Sequence, residues 1–125
     1  MVKWLLMVAA AYLGVIGLAL IFVPLKFGVG AVPPNASPEL LALLRLLGGP
    51  LLGIAVLDGI TGNTEASPTL RAVLIANFVG FGAVAANDLH GVFTGEAREL
   101  ARMFLVIHLA FTAAFAFAAL RRSQR

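Results

Sequence analysis

Three polar side chains lie deep within long apolar runs of this sequence, and their types bound the chemistry the chain can offer. Tyr12, Asn77 and His108 each fall near the middle of such a run when residues are counted at about 1.5 Å per helical step. A histidine there can relay protons or ligate a metal near neutral pH, while an asparagine amide or a tyrosine hydroxyl can bridge helices by hydrogen bonds. Arg45 stands about two turns inside one run, and Arg102 opens another, with Asn87, Asp88, His90 and Glu99 expected at that same rim.

Ionisable groups inside a membrane span cost at least about 2.5–3.5 kcal/mol each on insertion scales, so they turn inward and find partners. The expected site is therefore a polar pocket in one half of the apolar layer, drawn from Arg45, Asn77, His108, Tyr12, Asp88, Glu99 and Arg102, with Arg45 paired to Asp88 or Glu99. Asp58 and Arg71 form a separate expected ion pair at the opposite rim. Each residue also has a plainer reading. The long side chain of Arg45 can snorkel to the headgroups, and a single mid-helix histidine is more often a satisfied interhelical hydrogen-bonder than a relay or a ligand. Whether these groups converge depends on helix rotation.

Stronger chemistry is disfavoured by spacing. His90 and His108 as axial haem ligands would differ in expected depth by well over about 10 Å. Asp88, His90, Glu96 and Glu99 are of metal-binding types, but their spacing matches no compact ligand motif. The sequence has no Gly-rich loop followed by Lys and Ser or Thr, no His-Glu-x-x-His and no Gly-x-Ser-x-Gly, the local patterns of phosphate-binding, metalloprotease and hydrolase sites. With no Cys, thiolate chemistry and disulfides are excluded. No cofactor and no metal are expected.

The elements that must position these side chains are membrane-spanning helices. Of the 125 residues 61% are hydrophobic and 12% charged, with a mean hydropathy of +1.00, against roughly 45–50% apolar and about 25% charged in a soluble domain. Four apolar segments, Trp4–Val23, Leu40–Leu57, Leu70–Ala86 and Ala101–Leu120, each approach the roughly 20 residues that cross a 30 Å hydrocarbon layer. The first is too long for the apolar core of a signal peptide and reads as a retained span.

Pro24 is expected to close the first helix, and Pro33-Pro34 marks the following loop. Ser37-Pro38-Glu39 reads as a helix start with cap, first-turn proline and acid, and Ser67-Pro68 repeats the device. With its flanks, the chain reads as one domain with spans of about 4–23, 38–59, 68–88 and 99–120. The fold class is all-α, an integral membrane four-helix bundle with short loops. Ala-Ser-Pro opens both the second and third segments, at equal distances from Asp58 and Asp88; local capping preferences suffice to explain that match.

Small residues four apart, Ala10 and Gly14, Gly49 and Gly53, Ala76 and Gly80, and Ala110, Ala114 and Ala118, allow the close helix approach on which association in lipid depends. Gly48-Gly49-Pro50 predicts a kink in the second span. The basic charges Lys3, Arg71, Arg121, Arg122 and Arg125 outnumber Lys26, Arg98 and Arg102, which puts both termini on the cytoplasmic side of an inner (plasma) membrane. The charges cluster at segment ends and give no stripe for nucleic acid.

Phe22-Val23-Pro24, then Leu44-Arg45-Leu46-Leu47-Gly48-Gly49 with Leu51-Leu52-Gly53, resemble small bacterial four-helix membrane proteins related to the DoxX-like group. The likeness covers the first half of the chain and implies a four-helix inner-membrane bundle without an assigned reaction. The leading functional expectation is a non-enzymatic membrane protein, either an accessory subunit of a membrane complex or a binder of a lipid or other apolar small molecule. Membrane lipids, other membrane subunits or further copies of the chain are the expected partners. The alternatives are an oligomeric transporter or channel for protons, ions or a small solute, and a membrane enzyme acting on a lipid or quinone with His108, His90 or Asp88 as acid or base.

Overall fold

The computed structural model describes residues 1–65 and 67–123. Ala66, Gln124 and Arg125 lie outside the described residues, and with them part of the second Ala-Ser-Pro match and of the basic tail. The structure is all-α: α1 (Val2–Phe22), α2 (Pro24–Phe27), α3 (Pro38–Thr61), α4 (Pro68–Thr94) and α5 (Ala101–Ser123). Apart from the single turn α2, all are long and apolar enough to cross a membrane. This is a multi-pass membrane protein, as the sequence requires, and large apolar side chains such as Trp4, Leu46, Val79 and Val106 are exposed along its helices, where lipid is their natural solvent.

The capping signals act as read. Ser37 Oγ accepts from Leu40 N–H at 3.2 Å, and Ser67 Oγ accepts from Leu70 N–H at 3.2 Å. Each satisfies a donor that the first helical turn leaves orphaned, and Pro38 and Pro68 occupy positions where no N–H is needed. Val23 leaves the helical region at the end of α1, and Pro24 then opens α2.

The third span requires a correction. It was expected to close near residue 88, but α4 runs on to Thr94. Gly91 is tolerated inside the helix; the residue that stops it is Gly95, whose left-handed φ of 75° only glycine adopts without strain. The second helix likewise continues past Asp58-Gly59 to Thr61. Pro50 sits inside α3 without ending it and is exposed.

The chain divides into two compact units, Lys3–Asn63 and Thr64–Arg125. In the first, α1 and α3 run antiparallel and meet at glycine. A Cβ on Gly48 would lie 2.6 Å from the Gly17 carbonyl oxygen, and one on Gly17 would lie 2.9 Å from the Gly48 carbonyl oxygen. Ala10 faces Gly59 and Gly14 faces Ala55 at ordinary contact distance, so this small pair packs as expected. Gly49, Gly53 and Gly80 do not take part: a Cβ at any of them would meet nothing within 4 Å. A four-residue spacing puts two small residues on one face without saying which way that face looks, and here α3 turns Gly48 inward and its neighbour outward.

In the second unit α4 and α5 form an antiparallel hairpin. Gly82 lies against Thr112, and Phe81 stacks on Phe111 at 4.4 Å and on Phe115 at 5.7 Å between ring centroids. Phe115 is fully buried.

Candidate functional site

The site is built where the α4–α5 hairpin brings a carboxylate and an imidazole together. His108 Nδ1 and Asp88 Oδ2 are 2.6 Å apart, with Nδ1–H donating to the carboxylate. Two short segments make this possible. Gly95 turns the chain sharply after α4, and Ala101 begins α5 only a few residues later. Residues equidistant in sequence from Arg98 then face each other, Asp88 opposite His108 and Phe81 opposite Phe115.

Aromatic rings flank the imidazole. His108 lies between Phe81 and Phe104, each with its centroid 6.1 Å away, and the Phe104 plane is within 18° of the imidazole plane. Beyond Phe104 the guanidinium of Arg98 sits 5.3 Å over that ring, a cation–π arrangement. From Arg98 at the hairpin turn, the row runs through Phe104 and His108 to Phe111 and Phe115. The Thr112 hydroxyl donates to the His108 carbonyl at 2.7 Å, closing a local bond within α5. His108 is 8% exposed and its partner half-buried.

Chemically, the carboxylate fixes the imidazole's tautomer and orientation. A carboxylate at Nδ1 favours the tautomer that carries its proton there and holds the ring plane in one orientation.

The other residues singled out in the sequence are distributed as follows. Asn77 is buried on α4, and its amide donates to the Val73 carbonyl at 3.1 Å. Tyr12 is half-buried on α1; Arg45 is exposed on α3; Glu99, in the turn before α5, and Arg102, in its first turn, are exposed. Asp58 is completely buried in the first unit, and Arg71 is exposed in the second. Asp88, offered by the sequence as a counter-ion for Arg45, is bonded to His108. Asp88 was also expected at the rim; because α4 extends to Thr94, it lies more than a turn inside its helix and level with His108. The exposed His90 is on the same helix and contributes its backbone carbonyl to the Thr94 hydroxyl at 3.0 Å. Among the described residues, no group of three or more His, Asp or Glu is placed to hold a metal ion.

Comparison with family models, curated proteins and solved structures gave no match to this chain. The site therefore stands on its own geometry. What sequence reasoning missed is the pairing of Asp88 with His108 and the rings beside it. A signal for both was present: Phe104, His108, Phe111 and Phe115 recur at helical spacing on one face of α5, and hairpin symmetry about Arg98 assigns their opposite numbers.

Proposed function

We propose that this protein is a non-enzymatic membrane protein that binds a lipid or other apolar small molecule at the α4–α5 hairpin. The observation that carries this reading is the 2.6 Å Asp88–His108 bond inside a row of phenylalanines. Intramembrane ionisable residues are costly to retain and mark functional sites by default. Sites for small apolar ligands have this composition, mostly aromatic and aliphatic surface with a few fixed polar groups that set orientation.

The test is photo-crosslinking in vesicles with a diazirine-bearing phospholipid and a diazirine-bearing sterol. Labelling of α4 and α5 falls several-fold in His108→Phe and Asp88→Asn relative to the unaltered chain, with helicity by circular dichroism retained. Equal labelling of all three proteins with both probes refutes the proposal.

The same pair supports a second reading, a proton-handling site in a homo-oligomeric transporter, because a carboxylate-held histidine is a proton-binding unit. Proton flux through proteoliposomes that is abolished in His108→Phe, together with unchanged crosslinking, favours that reading over the first. The inner membrane and cytoplasmic termini complete the proposal; they rest on the distribution of Lys and Arg.

A further inference from the structure

The carboxylate of the hairpin pair has more acceptor capacity than the pair itself uses. Asp88 Oδ2 takes the bond from His108 Nδ1 at 2.6 Å, and among the described residues Asp88 has no second polar partner. Its side chain is 16% exposed, although it lies more than a turn inside a helix long and apolar enough to span the membrane. A carboxylate offers acceptor positions on both oxygens and no donor, so the bond from His108 leaves Oδ1 to be satisfied from elsewhere. In hydrocarbon a group of this kind is costly to keep without a donor. The nearby groups of the hairpin are directed to other partners: the Thr112 hydroxyl donates to the His108 carbonyl at 2.7 Å, the Thr94 hydroxyl to the His90 carbonyl at 3.0 Å, and the Arg98 guanidinium lies over the Phe104 ring.

This geometry selects the chemistry of a ligand. A ketone, an ester or an ether presents only acceptors, and a phosphate sets a like charge beside the carboxylate. An ammonium donates but must bring a full charge out of water, whereas a hydroxyl donates at much smaller cost. Phe104 and Phe111, about one turn to either side of His108 on α5, are half-buried and offer apolar surface to the rest of the molecule. Given the ligand-binding role proposed above, on which this rests, we infer that the hairpin site takes an apolar molecule with a hydroxyl head, the hydroxyl donating to Asp88 Oδ1 and the hydrocarbon body lying against Phe104 and Phe111.

The test is displacement of the diazirine-bearing sterol from the full chain in phosphatidylcholine vesicles by competitors that share one alkyl chain: hexadecanol, hexadecyl methyl ether, hexadecyl phosphate and hexadecyltrimethylammonium. Hexadecanol displaces the label at about one tenth of the concentration that the ether requires, the gain from one hydrogen bond to a carboxylate, and the phosphate is weaker still. In Asp88→Asn, where the amide donates as well as accepts, the alcohol and the ether come within about twofold of each other. His108→Gln, which keeps the carboxylate, keeps the preference for the alcohol. Both variants retain helicity by circular dichroism.

Equal displacement by alcohol and ether, with labelling still lower in Asp88→Asn, overturns the hydroxyl assignment and leaves the binding role standing; water then satisfies Asp88. Stronger displacement by hexadecyltrimethylammonium than by hexadecanol makes charge the determinant and overturns it as well. Labelling that no competitor lowers, and that is equal in the unaltered chain and Asp88→Asn, removes the binding role itself.

Discussion

The two units join their helices by opposite means. In Lys3–Asn63, α1 and α3 approach until backbones nearly touch, with Gly17 and Gly48 each leaving no room for a Cβ beside the other's carbonyl. In Thr64–Arg125, α4 and α5 are joined by side chains, a stack of phenylalanines and a hydrogen-bonded carboxylate and imidazole. Lipid offers almost no hydrophobic drive for one helix to meet another, so association needs either many close van der Waals contacts or directional polar bonds. The first unit has a backbone crossing at its centre and also buries Asp58 completely, whereas the second places a hydrogen-bonded carboxylate and imidazole between its helices and so supplies the site.

The sharpest way to break this contrast is to fill the backbone crossing. Gly48→Leu must displace α1 and is expected to cost about 3 kcal/mol, read from denaturant unfolding in micelles, while Gly49→Leu one residue away stays within about 0.5 kcal/mol. Similar losses at both positions would mean that the α1–α3 contact is not a glycine crossing. A smaller effect is expected from Phe115→Ala, about 2 kcal/mol in the same assay, since the stack loses its buried ring but lipid compensates part of the lost transfer energy.

For the polar bond, the double-mutant cycle of Asp88→Asn and His108→Phe should return a coupling of about 1 kcal/mol, in the range of hydrogen bonds between membrane helices. Strict additivity would show that the 2.6 Å contact contributes nothing to joining α4 and α5. The smallest change is Gly53→Ala, expected to leave unfolding within about 0.5 kcal/mol, because the added methyl enters open space.

Much of the fold was legible in the residues and less of the site. Ser37-Pro38 and Ser67-Pro68 fixed where α3 and α4 begin through interactions local to one turn, and such interactions can be read from neighbouring letters. The end of α4 was misjudged because the glycine that stops it, Gly95, differs from the helical Gly91 only in its left-handed backbone, which no letter records. That error placed Asp88 at the rim and concealed its partner. His108 and Asp88 were both recognised as candidates, yet the bond between them depends on the register of one helix against another.

The sequence by itself determined the solvent, the class of element and the number of long helices, because hydrocarbon tolerates only chains whose backbone groups are satisfied within each segment. It could not determine rotation. In water the polar side of an amphipathic helix declares which face looks outward, but in these spans both faces are apolar, and the pattern is silent about whether Gly48 or Gly49, His108 or Leu109, turns toward a neighbour. Tertiary packing decided that, setting glycine against glycine in one unit and imidazole against carboxylate in the other.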